Sequence, residues 1–272
     1  MISNEEYDNF RTYLEEVTGI VLGENKHYLI SSRLNRLMDE KQFSSYGELL
    51  ATLKKAGNSQ LQEQIIDAMT TNETMWFRDT FPFEILKQDL LPELAKTKKS
   101  ALRIWSAACS SGQEPYSISM TVSEFLAKNP GAFPAGVKIV ATDISPAMLN
   151  YCKQARYDSS AINRGMSEER KTRFFSKVDQ CWEVKPEIRA RVEFRSLNLQ
   201  QNFSSLGSFD VIFCRNVLIY FSSEFKTDIL TRMAAILGAD GYLFLGVGVD
   251  LLLDLELLGP PEVVVVEAHQ LL

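Results

Sequence analysis

Two stretches hold residues whose types and spacing could do chemistry. Leu102 to Ser117, LRIWSAACSSGQEPYS, passes from an apolar run through Ala107, Ala108, Ser110, Ser111 and Gly112 into a helical pattern with Pro115 near its first turn. Small residues in such a loop let the backbone approach a ligand closely. The run VKIVATD ends in Asp143. A carboxylate at a strand tip accepts both hydroxyls of a ribose and repels a 2′-phosphate, so the two stretches together predict a nucleoside cofactor site rather than one for a phosphorylated dinucleotide.

Further candidates sit at other strand ends. A strand over 190–197 leads to Asn198 and Leu199, and SFDVIFCRN ends in Arg215 and Asn216. With Ala107 and Asp143, these tips are expected to face one crevice. The string TTNETMWFRDTFPFEIL, from Thr70 to Leu86, is too polar at its start for core helix and too aromatic for a plain linker. It reads either as a hinge whose aromatics pack, or as a lid that brings Asn72, Thr74 and Arg78 to the cofactor, with the Arg78 guanidinium gripping a carboxylate in two-pronged fashion.

The elements that must position these residues follow from periodicity. Residues 3 to 18 open with a Ser3/Glu6 capping box, carry Tyr7, Phe10, Leu14 and Val17 at helical spacing, and stop at Gly19. Helical patterns follow through His27, Ile30, Leu34 and Leu37, from the Ser45/Glu48 pair to about Gly57, and from Leu61 to Met69. Residues 1–70 thus form an all-helical unit, 71–95 a linker or lid with a lead-in helix over 81–95, and 96–272 an α/β domain. In that domain Ser145 and Pro146 start a helix, Ser167 starts a short one, and CWEVK at 181–185 reads as an arm of a small antiparallel insert. A helix over 223–237 and an Asp240–Gly241 turn lead to a last core strand, GYLFLGVGV. The alternation predicts a doubly wound, Rossmann-like fold.

Composition narrows the function classes. The 272 residues are 45% hydrophobic and 24% charged, with a formal charge of −6, which argues against a broad nucleic-acid surface. Four scattered cysteines and two histidines lack metal-ligand spacing, so no metal is expected and the thiols read as buried groups of a reducing compartment. There is no leader-like start and no apolar run of membrane length, so a cytoplasmic protein without membrane insertion is expected. Lys26, Arg33 and Arg36 lie on the second helix. They form either a solvated face balanced by Asp39 and Glu40 or a basic strip that docks an acidic partner.

The strings NETMWFRD, SAACSSGQEPYSISM, ATDIS, SLNL and FDVIFCRNVLIYF, in this order and spacing, resemble the bacterial chemotaxis receptor glutamate methyltransferases, the CheR family. The likeness spans most of residues 1–246. It implies a Rossmann-like S-adenosylmethionine-dependent methyltransferase domain, a helical N-terminal receptor-recognition domain and a small β insert at about 177–192. Asn72, Thr74, Arg78, Glu114, Asp143, Asn198, Leu199, Arg215 and Asn216 would then hold S-adenosylmethionine or its product S-adenosylhomocysteine. Arg78 and Tyr220 would stand at the methyl-transfer centre, and Arg33 and Arg36 would face the acidic cytoplasmic helices of methyl-accepting receptors.

By the same likeness the protein would act as a monomer, and the shortness of the insert suggests independence from a receptor's C-terminal pentapeptide. A non-catalytic signalling module with the same fold, or a methyltransferase for other acceptors, are the alternatives. Residues 247–272 depart from the family as a Leu-, Val- and acid-rich run, in which Glu262 to Glu267 could form a strand.

Overall fold

The computed structural model describes residues 2–55 and 57–246, and the backbone of 264–266. The Ser3 hydroxyl accepts the Glu6 N–H while the Glu6 carboxylate accepts the Ser3 N–H, so the first helix, Asn4–Thr18, starts with the expected capping box. Gly19 ends it at φ 77°. Helices His27–Lys41, Tyr46–Leu53 and Ser59–Met69 complete the N-terminal unit. Their apolar positions, among them Tyr7, Phe10, Leu14, Ile30, Leu34, Leu49 and Ile65, close into a core of their own. The lead-in helix is irregular: Phe81–Ile85 passes through a π-helical stretch, Leu86–Leu90, into Leu91–Thr97.

Among the described residues nine strands follow: β1 Leu102–Ala107, β2 Val137–Asp143, β3 Arg156–Tyr157, β4 Phe175–Val178, β5 Cys181–Val184, β6 Val192–Ser196, β7 Phe209–Cys214, β8 Leu237–Leu245 and β9 Val264–Val266. Six make one sheet in the order β6-β2-β1-β7-β8-β9, with every neighbouring pair parallel. Alternate residues feed opposite faces: Ile104 and Val211 join one core cluster, Trp105 and Ile212 the other. Order reverses at β1, which is where a doubly wound sheet opens its ligand crevice. Among the described residues no helix is long and apolar enough to cross a membrane.

Two expectations need correction, and a third is met where it can be seen. The insert is a three-stranded antiparallel sheet, β3-β5-β4, that recruits residues 156–157 and 175–178 and ends at Val184, while Pro186–Arg189 is a helical turn and Val192 already belongs to the main sheet. A two-residue strand is too short to show a period. The turn expected at Asp240–Gly241 lies inside β8, which begins at Leu237, as an irregularity in its pairing with β7: Phe209 faces Leu237 and Val211 faces Tyr242, so residues 238–241 stand between the two registers. Of the strand expected at 262–267, Val264–Val266 pairs with β8; the rest of 247–272 lies outside the described residues.

Candidate functional site

Loops at the carboxyl ends of β1, β2, β6 and β7 converge on one pocket, and the linker after Met69 closes it from the side. These loops hold an unusual share of left-handed backbone. Ala108 and Ser110 after β1, Asn216 after β7, and Phe77, Asp79 and Thr80 in the linker all have φ between 44° and 63°. Such conformations persist only where surroundings enforce them, and they gather at ligand clamps. Gly246 shows how tight the packing is, since a Cβ there would stand 2.5 Å from the Asn216 nitrogen.

Asp143 is 6% exposed, and its two oxygens accept the Ser110 and Ser145 N–H groups at 2.7 and 2.9 Å. Burial pushes its pKa up, opposed by those backbone donors. Each oxygen keeps a lone pair for a further donor. Glu114, at the start of helix Gln113–Lys128, accepts the Ser106 hydroxyl at 2.8 Å and Arg215 Nη1 at 3.2 Å. Its pKa is also raised by burial, against the pull of Arg215, Ser106 and Arg78.

Arg215 is the hub of this cluster. Its buried guanidinium donates from Nη2 to the Arg78 carbonyl at 3.0 Å and to Asp79 Oδ2 at 2.5 Å, while Nε is buried without a partner among the described residues. It thereby pins the left-handed Asp79 backbone. Arg78 itself donates only to the Glu73 carbonyl, at 3.2 Å, and among the described residues has no carboxylate partner, leaving its charge turned to the pocket it lines.

The linker packs its aromatic side chains and also lines the pocket. Trp76 is fully buried, donating from Nε1 to the Ala161 carbonyl and from its backbone to the Arg164 carbonyl, and it meets Tyr157 and Phe175 edge-on. Asn72, Thr74 and Arg78 line the pocket. The Asn72 carbonyl accepts the Ser110 hydroxyl at 3.0 Å, joining the linker to the β1 loop.

The N-terminal unit forms the opposite wall through Thr18, Ile20, Leu22, Leu29 and Arg33. Asn198 lines the pocket but also donates from Nδ2 to the Val17 carbonyl at 2.8 Å. Leu199 beside it is buried, with its carbonyl held by Arg232. Tyr220, in the one-turn helix Leu218–Tyr220, borders the pocket and accepts the Val21 N–H on its carbonyl.

The two N-terminal arginines part company. Arg36 is solvent-exposed and pairs with Glu40 at 2.7 Å. Arg33 turns inward and donates to the Met69 and Thr70 carbonyls and to the Thr71 hydroxyl, so it is not a free member of a docking strip. Of the site residues Asp79, Ser106 and Ser110, Ser110 falls in the loop of small residues singled out from the sequence, whereas Ser106, inside β1, and Asp79 carried no such signal.

Two sequence models of one family match the chain: the all-alpha domain of the CheR methyltransferases over residues 5–70 and their SAM-binding domain over 72–254. Chemotaxis protein methyltransferase 1 of Pseudomonas aeruginosa is 56% identical over 246 residues, 90% of this chain and 89% of that protein. Chemotaxis protein methyltransferase Cher2 of Pseudomonas putida is 55% identical over 245 residues, 89% of each. A Vibrio cholerae chemotaxis protein methyltransferase 1 is 49% identical over 246 residues, 90% of this chain and 89% of its own length. With both of its parts matched, the helical unit and the parallel sheet with its pocket, the chain belongs to the CheR methyltransferase family and carries that family's S-adenosylmethionine-binding domain.

Proposed function

We propose that the protein methyl-esterifies glutamate side chains on the cytoplasmic helices of membrane chemoreceptors, acting in the cytoplasm as a monomer in chemotactic adaptation. The observation that carries this reading is the pocket shared by the strand tips and the helical unit, lined by the carboxylates of Asp143 and Glu114 and the guanidinium groups of Arg78 and Arg215, with Arg215 bonded to Glu114. The residues suit S-adenosylmethionine. Asp143 can take the ribose hydroxyls, Glu114 the ammonium and Arg78 the carboxylate of the methionine tail, while Asn198, Leu199 and Asn216 border the adenosine side and Asn72 and Thr74 the linker side. When bound, the cofactor supplies an electrophilic methyl group on a sulfonium.

The acceptor glutamate is ionised at neutral pH, with an ordinary pKa of about 4.3, so no general base is required. The protein's task is to align that carboxylate and strip its water. Tyr220 at the pocket edge is the group assigned to orient it, together with Arg78. Arg36, exposed on the second helix, is assigned to the acidic receptor helix, a contact that screening over about 8 Å makes salt-sensitive.

The β4–β5 hairpin closes through Asp179 and Gln180 alone, which supports activity without a receptor pentapeptide tail. The test is transfer of a tritiated methyl group to receptor cytoplasmic fragments, with and without that tail. Base-labile label that is absent with Asp143→Ala supports the reading. Binding of S-adenosylhomocysteine without any transfer would leave a non-catalytic module.

A further inference from the structure

The Arg33 side chain reaches out of the N-terminal unit and takes hold of the segment that enters the cofactor pocket. From the middle of helix His27–Lys41, its Nη1 donates to the Met69 carbonyl and, at 3.2 Å, to the Thr70 carbonyl, and Nη2 donates to the Thr71 hydroxyl at 2.9 Å. These are the last residue of helix Ser59–Met69 and the first two of the linker. A planar fork with several donors suits three acceptors at fixed positions, which a single ammonium cannot match.

Hydrogen bonds continue from there to the strand tips. The Asn72 amide donates to the Thr70 hydroxyl at 3.3 Å, the Ser110 hydroxyl donates to the Asn72 carbonyl at 3.0 Å, and the Ser110 N–H donates to Asp143 at 2.7 Å. Arg33 also lines the pocket wall.

We propose that Arg33 is a positioning residue for the cofactor site: it fixes Thr70 and Thr71, and through them sets Asn72 and Thr74 against the β1 loop and Asp143. The helical unit is then part of the cofactor site rather than an appended recognition module, and helix His27–Lys41 serves two purposes, with Arg36 outward and Arg33 inward. This inference rests on the placement of the cofactor at the strand tips.

The test is calorimetric titration of the full chain with S-adenosylhomocysteine, with hydrogen exchange of the ligand-free protein read at the Thr70 and Trp76 amides, which bond to the Ile66 and Arg164 carbonyls. Arg33→Met is expected to raise the dissociation constant roughly tenfold, the loss typical of charge-assisted hydrogen bonds, and to speed exchange at both amides while unfolding stays cooperative. Arg33→Lys, which keeps the charge but not the fork, is expected to fall between it and the wild type. Wild-type affinity in folded Arg33→Met overturns the proposal. So does weakened binding with unchanged exchange, which would make Arg33 a direct ligand contact. Asp143→Ala in the same titration separates the two levels of the argument: if it binds normally, the strand-tip site is wrong, whereas its loss beside intact Arg33→Met binding condemns only the role of Arg33.

Discussion

Helix Gln113–Lys128 carries two glutamates turned into the protein, the buried Glu124 and the partly buried Glu114, held in opposite ways. Glu124 is gripped by Lys87 Nζ at 2.6 Å and by Arg170 through Nε and Nη2 at 2.7 and 3.2 Å. Burial would raise its pKa, but those two cations more than offset this and hold it below the usual carboxylate range. Glu114 has one hydroxyl and one guanidinium nitrogen, and Arg215 divides itself between Glu114, Asp79 and a backbone carbonyl. Its pKa stays raised. A carboxylate that has found all its partners within the chain holds elements together; one left short of them is available to a ligand's cation. Arg170 also lies 3.8 Å over the Phe77 ring, so the satisfied cluster braces the start of the strained linker.

The contrast breaks most decisively at Glu114 itself. Glu114→Gln keeps the shape and the Ser106 contact but removes the charge, and S-adenosylhomocysteine affinity is expected to fall about 30-fold or more, as for truncation of one partner of a buried charge pair. Its melting temperature should hardly move; a large drop would make Glu114 as structural as Glu124. Glu124→Gln should do the reverse, costing about 1.5–3 kcal/mol in denaturant unfolding by weakening charged hydrogen bonds, with ligand affinity unchanged.

Acid should separate the two groups as well. Because the ligand's ammonium favours ionised Glu114, affinity should fall as pH drops through its raised pKa, by up to about tenfold per pH unit below it, and binding in that window should release protons. Calorimetry in buffers of different ionisation heat reads this, and its absence would remove Glu114 from the ammonium site. For folding the signs differ. The Glu124 contribution is present above its unfolded pKa and is lost only as pH falls through the lowered folded value. The Glu114 contribution is present below its unfolded pKa and is lost as pH rises through the raised folded one. The smallest effect belongs to Ser106→Ala, which takes one neutral donor from Glu114 and should weaken binding by about two- to tenfold.

Much of this was readable from the chain because each feature depends on neighbours in sequence. The Ser3 capping box, the β1 loop of small residues and the polar ends of β2 and β7 all announce themselves within a few positions. What stayed hidden depends on distant residues. Asp79 earns its place from Arg215, 136 positions away, and from a left-handed backbone that its residue type does not demand. Helical spacing placed Arg33 beside Arg36 on one face, yet the side chain's direction is decided by the Met69–Thr71 carbonyls and hydroxyl, 36 to 38 positions on. Glu114 emerged from likeness to a family, not from its local pattern.

Gly19, the residue that ends the first helix, has a consequence for how the protein is made. A Cβ there would lie 2.3 Å from the Phe225 ring, and close by Val21 bonds to Tyr220 while Val17 receives Asn198 across 181 positions of chain. One wall of the pocket therefore leaves the ribosome long before the counterpart it packs against, whose Asn198 follows 181 positions later. Until then the helical unit can assemble its own core, but the nascent protein has no finished cleft to offer a ligand, so pocket closure is a late event of synthesis.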